Sequence, residues 1–170
     1  MPNAAAEPSR SAPGGRGGLV AGIVVAVVAL DQATKAWAVA ALPGSPITLI
    51  GSTLELALAR NTGSAFSLFQ TLTPVLAVFA VAIALVLVRV VRRTNERIVL
   101  VALALVLGGA LGNLSDRLFR SPGWLRGAVV DFIHLRDWPT FNVADSAITI
   151  GAVLLVLWSL FGGRTREPSS

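Results

Sequence analysis

Cysteine is absent from the 170-residue chain, and histidine and lysine occur once each, as His134 and Lys35. Without cysteine, the chain forms no disulfides, thiolate metal sites or cysteine nucleophile. A single histidine and the lack of an HExxH motif argue against a zinc hydrolase. No serine lies in a nucleophile-elbow sequence, which makes serine hydrolysis a weak alternative. Thiol, zinc and serine chemistry are therefore disfavoured.

Charged residues are also scarce. They make up 14% of the chain, whereas 54% is hydrophobic and the mean hydropathy is +0.73. A soluble domain is usually about a quarter charged, so this composition indicates a membrane protein. The net charge of +5 lies in short basic clusters beside apolar runs. That pattern is typical of membrane topology signals and does not indicate a nucleic-acid-binding surface.

Four apolar runs are long enough to be membrane-spanning helices, at residues 19–42, 74–91, 98–114 and 143–161. The chain is thus predicted to be mainly α-helical, with one membrane domain over residues 19–163. Residues 1–18 are rich in Ala, Pro, Gly and Ser, which predicts a disordered cytoplasmic tail. Residues 164–170 form a second predicted tail. A rival interpretation of the first run is a cleavable signal peptide, but three more spans follow it.

The arginines predict the orientation of the four spans. With four crossings, both termini and the turn between the second and third spans share one side of the membrane. Eight arginines lie on that side and five on the other, over longer loops. The positive-inside bias therefore predicts that both termini are cytoplasmic and that the other two connections face outward.

The first outward connection has the pattern of a β-hairpin. Ile47–Ile50 is β-prone, Gly51 and Ser52 suit a turn, and leucines alternate with other residues over 54–59. We expect this hairpin to lie on the membrane surface and to be closed by the NTGSAF segment, residues 61–66. Within that segment, Asn61 and Gly63 form either a simple turn or a wall of a substrate cleft. Thr73 and Pro74 then supply a helix start.

The polar stretch Gly108–Asp145 joins the last two spans and includes the carboxylates Asp116, Asp131 and Asp145, the amides Asn113 and Asn142, and Arg117. Polar groups at the membrane edge are costly and usually functional. Asn113, Asp116 and Arg117 are spaced to share one helix face. The alternative for Asp116 and Arg117 is an ion pair that orients the helix end without chemistry.

Two further aspartates follow in this stretch. Asn142 and Asp145 have the spacing of a capping box, which by itself accounts for both. Asp131 lies inside the apolar run VVDFI and needs a partner or a proton, unless it is an exposed loop residue. The thirteen residues between Asp131 and Asp145 permit the two to meet. A meeting pair shares one proton, so one carboxylate activates water while the other polarises a scissile carbonyl.

Asp31 and Lys35 stand one helical turn apart within the first span. They form either a self-neutralising pair or a contact with the polar stretch. Two other functions remain open from the residues alone. An ion-coupled transporter needs carboxylates distributed through the membrane depth, and a non-catalytic scaffold tolerates their loss.

Five motifs in order make the chain resemble the lipoprotein signal peptidase family, also called signal peptidase II. They are DQATK (residues 31–35), RNTGSAFS (60–67), GGALGNLSDR (108–117), VVDFI (129–133) and FNVADS (141–146). The resemblance covers nearly all of the chain except the N-terminal tail and the last few residues. The tail is longer than the minimal family pattern.

The resemblance implies a four-helix integral membrane aspartic peptidase of the bacterial inner membrane, with a small outer β-cradle and a short loop or helix over the site. It implies removal of signal peptides from prolipoproteins, before a Cys bearing diacylglycerol, by a dyad of Asp131 and Asp145. Supporting or substrate-contacting roles are implied for Asn61, Gly63, Asn113, Asp116, Arg117, Asn142, Asp31 and Lys35. It implies no metal or cofactor, partners limited to prolipoproteins and membrane lipids, and a monomer. The short connection between the two aspartates predicts a small gating loop.

Overall fold

The computed structural model describes residues 14–62 and 73–162. The described residues contain four helices and three strands in the order α1 (Gly14–Ala41), β1 (Ile47–Ile50), β2 (Leu54–Asn61), α2 (Thr73–Arg93), α3 (Arg97–Phe119), β3 (Val129–Leu135) and α4 (Val143–Phe161). The protein is therefore mainly helical with one small sheet. The predicted cleft residue Gly63 lies outside the described residues, as do residues 1–13 and 163–170.

Three of these helices are long and apolar enough to cross a membrane: Gly15–Ala41, Arg97–Phe119 and Val143–Phe161. Their many exposed Val, Leu and Ile side chains suit a hydrocarbon environment. The predicted second span, α2, is a helix of 21 residues that begins at Thr73, as the Thr-Pro pair predicts. The membrane-embedded, mainly helical architecture is thus confirmed, with three candidate spans in the described residues.

Helix boundaries depart from the prediction at two places. The α1 helix begins at Gly14, so the last five residues of the predicted disordered tail are helical. Arg16 in this first turn hydrogen-bonds Asn95 in the turn between α2 and α3, a tertiary contact that composition does not reveal. The α3 helix continues to Phe119, beyond the predicted end at Leu114. This extension carries Asp116, which forms an ion pair with Arg120, the residue at the C-cap of the helix.

The helix α3 is the centre of the bundle, because it packs against α1, α2 and α4. Glycines allow its close approach to α4. A Cβ atom on Gly109 would lie 2.4 Å from the backbone oxygen of Ala144, and one on Gly112 would lie 2.7 Å from the Asp31 carboxylate. Any larger residue at either position would push neighbouring helices apart.

The three strands form one antiparallel sheet in the order β1-β2-β3. The β1–β2 hairpin and its turn at residues 51–53 confirm the predicted hairpin. The third strand was not predicted: VVDFI is a strand paired to β2, with Asp131 opposite Ala59. Phe132 anchors the sheet in a cluster with Ala38 and Leu42 of the first helix and its end. The sheet therefore holds Asp131 against the outer end of the helices.

Candidate active site

The start of α4 carries the first part of the site. The Asn142 side chain accepts from the Asp145 backbone N–H at 2.9 Å, and the Asp145 carboxylate accepts from the Asn142 N–H at 3.2 Å. The predicted capping box is therefore present. It uses only part of each side chain. The Asn142 amide nitrogen and the second Asp145 oxygen remain for other partners.

Those remaining atoms connect the two predicted dyad residues. The Asn142 amide nitrogen donates to Asp131 Oδ1 at 2.6 Å, and the Asn113 amide nitrogen donates to Asp145 Oδ1 at 2.8 Å. Asn142 also donates to Asn113 Oδ1 at 3.2 Å. The two carboxylates are thus held by one pair of touching amides. The structure brings together Asp131 and Asp145, together with the predicted Asn113 and Asn142.

Asp131 lies on β3 and is only 2% exposed, so the exposed-loop interpretation of this residue is wrong. Burial raises the pKa of Asp131 to about 6, and the nearby Asp145 carboxylate acts in the same direction. Hydrogen bonds from the side chains of Asn61 and Asn142 partly oppose that rise. The predicted Asn61 is therefore at the site, at the end of β2.

A buried charge cluster lies directly behind the two amides. The Lys35 ammonium contacts Asp31 Oδ2, Asp116 Oδ2 and Asn113 Oδ1, each at 2.9 Å. Lys35, Asp31 and Asp116 are fully buried. Three contacts use all three donors of the ammonium group. Asp31 and Lys35 therefore form both of the predicted alternatives: they pair with each other, and they contact the site.

This cluster fixes the orientation of the site amides. Because Lys35 donates to the oxygen of Asn113, the amide nitrogen of Asn113 must face Asp145. The other Asp31 oxygen accepts from the Ala144 backbone N–H at 3.0 Å, in the first turn of α4. The first helix thus locks the third and fourth helices in register, and with them Asn113 and Asp145.

The alternative interpretation, in which Asp116 forms an ion pair with Arg117, is wrong. Asp116 pairs instead with Arg120, at 2.5 Å, and with Lys35. Its carboxylate also accepts from the Val130 backbone N–H at 3.1 Å, which ties α3 to β3. Arg120 lies one helical turn beyond Asp116, so its side chain is better placed to pair with Asp116 than that of Arg117, which is about 100° further around the helix.

Arg117 is differently placed. Its Nη1 atom is buried and has no hydrogen-bond partner among residues 14–62 and 73–162. The nearby charges that act on its guanidinium are the carboxylates of Asp131, Asp116 and Asp145. Arg117 therefore offers a free N–H donor close to the two aspartates, which suits a bound carbonyl or phosphate oxygen.

An apolar cleft of about 480 Å³ opens beside Asp145. Its lining comes from the end of β3, from α4 and from the connection between them, namely Leu135, Trp138, Phe141, Asp145, Ser146, Thr149 and Ile150. The cleft is mostly apolar, and the one carboxylate among its lining residues belongs to the predicted dyad. The connection itself, residues 136–140, contains no helix.

Sequence reasoning missed two polar contributors. Gln32 donates to Asp31, to the Gly112 carbonyl and, at 3.3 Å, to Asp116. Arg120 holds the outer face of Asp116. The i, i+4 spacing of Asp116 and Arg120 was a usable signal for the second, and the position of Gln32 inside DQATK gave a weaker one for the first. Within the described part of the chain, no three acidic or histidine side chains converge as a metal site requires.

Comparisons with known proteins agree on one family. The family model described as signal peptidase (SPase) II matches residues 23–161. A lipoprotein signal peptidase of Mycobacterium tuberculosis is 44% identical over 159 residues, covering 93% of this chain and 79% of that protein. A Rhodococcus jostii relative of the same name is 48% identical over 145 residues, covering 85% and 72%.

Two solved structures of bacterial membrane enzymes, obtained by the in meso method at 1.9 and 2.3 Å, share the fold. The first has a TM-score of 0.71 and 32% identity, over 85% of this chain and 94% of the other. The second has a TM-score of 0.70 and 29% identity, over 90% and 93%. The helices and small sheet described above therefore have close counterparts in known membrane enzymes.

Proposed function

The chain belongs to the signal peptidase II family of lipoprotein-processing membrane peptidases, and we propose that Asp131 and Asp145 form its catalytic dyad. In this proposal the enzyme hydrolyses the peptide bond that precedes a diacylglyceryl-modified Cys in a prolipoprotein. The observation that carries the proposal is the pair of touching amides, Asn142 and Asn113, that holds one carboxylate each.

The two aspartates differ in a way that assigns their roles. A pKa of about 6 makes Asp131 the member that holds the shared proton in mildly acidic conditions. Asp145 accepts a hydrogen bond on each of its two oxygens, from the Asn113 amide and from the Asn142 backbone N–H. Asp145 then accepts a proton from water, while Asp131 donates its proton to the scissile carbonyl oxygen.

The chemical step balances without any other reactant. The water oxygen bonds to the carbonyl carbon and gives a neutral gem-diol, with one water proton on Asp145. That proton passes to the peptide nitrogen as the C–N bond breaks, and Asp131 recovers its proton from the gem-diol hydroxyl. The products are a carboxylic acid on the signal peptide and a free amine on the modified Cys.

Substrate binding follows from the cleft and from Arg117. The apolar cleft beside Asp145 suits the apolar part of a signal peptide or an acyl chain. The free Nη1 of Arg117 suits a peptide carbonyl next to the scissile bond. Both substrate parts prefer the bilayer, so an enzyme with its dyad at the membrane edge meets them by diffusion in two dimensions.

The proposal includes the topology. In this proposal α2 also crosses the membrane, which brings the number of spans to four. Its 21 residues are long enough, and Val75, Val78, Phe79 and Leu85 are exposed as on a lipid-facing surface. Four spans and the arginine bias place both termini in the cytoplasm of a bacterial inner membrane, with the dyad near the outer face. We expect a monomer that needs no cofactor.

The test is cleavage of a diacylglyceryl-modified prolipoprotein by the purified enzyme in detergent. Asp131→Asn and Asp145→Asn should each lower kcat by at least about a thousandfold, since each removes half of the acid–base pair. Asp137→Asn is the matched control, because Asp137 is an exposed aspartate in the same outer connection. It should retain full activity. Normal turnover in both dyad variants would contradict the dyad.

Two further measurements, cleavage in the presence of a chelator and membrane insertion of the variants, test for a metal-dependent enzyme and for misfolded variants. Cleavage by the wild type should be insensitive to EDTA. Both Asn variants should still insert and elute as folded protein, because Asn preserves the volume of each side chain. A wild type that cuts nothing, yet moves ions across proteoliposomes, would instead support the ion-coupled transporter.

A further inference from the structure

The end of α2 opposite the dyad carries an unassigned groove. It has a volume of about 560 Å³ and is lined by Leu85, Val86, Val88, Arg89, Arg92 and Arg93. Asp116 lies 19 residues after Arg97 in α3, so at a rise of 1.5 Å per residue this end is about 28 Å from the dyad end of α3. The groove is therefore separate from the candidate active site.

The groove residues divide into an apolar part and a basic part. Leu85 and Val86 are 66% and 60% exposed. They lie one helical turn before Arg89 and two turns before Arg93, on the same face of α2. The opposite face of α2 carries the packing seam of Ala77 and Ala84. The groove thus points away from α3, toward the surroundings of the bundle.

The three guanidiniums of this groove have no partner in the part of the chain that the structure describes. Within residues 14–62 and 73–162, the salt bridges and side-chain hydrogen bonds include none to Arg89, Arg92 or Arg93. A smaller cavity of about 200 Å³ shares Arg92 and adds Arg16 of α1 and Thr94. Four arginine side chains therefore line two adjoining cavities, and none of the described residues that line them is acidic.

We propose that this groove binds an anionic phospholipid. Its phosphate lies among Arg89, Arg92 and Arg93, and its acyl chains follow Leu85, Val86 and Val88 toward the membrane centre. Guanidinium groups bind phosphate oxygens with paired N–H donors, and basic pockets at the cytoplasmic end of spans suit anionic headgroups. The proposal rests on α2 crossing the membrane but is independent of the peptidase chemistry.

The basic cluster has a simpler interpretation, in which its charges only set the orientation of the helices. That interpretation requires no groove and predicts no preference between lipids that share acyl chains. Charge complementarity favours a lipid occupant, because an apolar groove that leads into three unpaired guanidiniums matches a phospholipid from tail to head.

The test titrates the purified full-length protein, in uncharged detergent, with phosphatidylglycerol and with phosphatidylcholine of the same acyl chains. Native mass spectrometry counts the bound lipid. Phosphatidylglycerol should bind at least about tenfold more tightly to the wild type, since each nearby arginine contributes about fivefold. Arg89→Gln with Arg93→Gln should weaken that binding about 25-fold.

The matched control is Arg97→Gln with Arg126→Gln, which removes two exposed arginines that lie outside the groove. It should leave phosphatidylglycerol binding unchanged. The single Arg92→Gln change should weaken binding about fivefold and serves if the double variant is poorly folded. Equal binding of both lipids by the wild type, or an unchanged preference in the groove variants, would overturn the proposal.

Two further arms identify the source of any effect. Millimolar inorganic phosphate should not displace phosphatidylglycerol; displacement would assign the basic cluster to a free anion and overturn the lipid proposal. Cleavage of prolipoprotein in uncharged detergent should be the same for the wild type and the groove variants. A wild type that binds lipid selectively but does not cleave prolipoprotein would contradict the proposed dyad and still support the lipid site.

Discussion

The two ends of the helix bundle treat charge in opposite ways. At the dyad end, Lys35, Asp31 and Asp116 are fully buried, and each contacts an opposite charge within 2.9 Å. At the other end, Arg89, Arg92 and Arg93 are exposed and have no partner among the described residues. A buried charge must be compensated by the protein itself, whereas an exposed one is stabilised by its surroundings. Removing charge should therefore destabilise the fold at one end only.

Lys35→Met is the strongest test of that comparison. It removes the cation shared by Asp31 and Asp116 and leaves their carboxylates buried with fewer partners. Breaking a buried ion pair from one side typically lowers the free energy of unfolding by about 3–5 kcal/mol. We expect a loss of this size in reversible unfolding of the detergent-solubilised protein, together with loss of cleavage as Asn113 loses its orientation.

The matched change at the other end is Arg89→Met, which should alter the free energy of unfolding by less than about 0.5 kcal/mol. Adding Asp31→Asn to Lys35→Met should restore part of the lost stability, because it removes one uncompensated charge. If Lys35→Met were as stable as Arg89→Met, the buried cluster would not be the structural centre of the dyad end.

Gly109→Ala breaks the same region without changing charge. Its Cβ would lie 2.4 Å from the Ala144 backbone oxygen, so the third and fourth helices must separate. Overpacking of this kind lowers the free energy of unfolding by about 1–3 kcal/mol. Cleavage should fall as well, since Asn113 and Asp145 sit on the two helices that move. Gly22→Ala on α1 is the control, because a Cβ there meets nothing within 4 Å.

The dyad lies at the edge of the buried cluster, where opposite charges do not fully balance the charge of Asp131. The free energy of unfolding should therefore depend on pH. Burial raises the pKa of Asp131 from its ordinary value of 3.8 to about 6. Between these values the folded state binds a proton that the unfolded state lacks, so stability falls as pH rises from about 4 to about 6. Above that window the residue is ionised in both states and adds no further slope.

Unfolding of the wild type and of Asp131→Asn across pH 4–7 measures this contribution. The wild type should lose about 1–3 kcal/mol relative to the variant over the window. Asp137→Asn should follow the wild type. Catalysis should show a matching limb: kcat/KM for prolipoprotein should decline above about pH 6, as the proton donor ionises. Parallel stability curves for the wild type and Asp131→Asn would contradict the raised pKa.

The helices were predictable because each apolar run is a local pattern. The fourth helix covers Val143–Phe161, as the apolar run over residues 143–161 predicts. The hairpin was also local, since its turn lies between two adjacent β-prone runs. The capping box of Asn142 and Asp145 needed only their spacing. The family motifs also led to the residues that meet around the two aspartates, apart from Gly63, which lies outside the described residues.

The remaining features depend on partners distant in sequence. Val129–Leu135 is a strand because β2 pairs with it from some seventy residues away, and no pattern within VVDFI specifies that register. The spacing of Asp31 and Lys35 predicts a pair within one helix. It cannot reveal that the same ammonium reaches Asp116 and Asn113 on another. The apolar runs also predicted α1 and α3 to be shorter than they are, because polar contacts stabilise the ends of these helices.

Arg120→Gln should have the smallest effect on stability. It compares a buried and a partly exposed partner of the same carboxylate, that of Asp116. Asp116 is held by Lys35, which is fully buried, and by Arg120, whose side chain is 23% exposed. Partly exposed ion pairs contribute about 0–1 kcal/mol, because water screens them and replaces a lost partner. Arg120→Gln should therefore lower the free energy of unfolding by less than about 1 kcal/mol and leave cleavage within a few fold of the wild type. A loss of stability as large as that of Lys35→Met would mean that Arg120 is the main partner that stabilises the Asp116 charge. The buried lysine would then act mainly through Asn113.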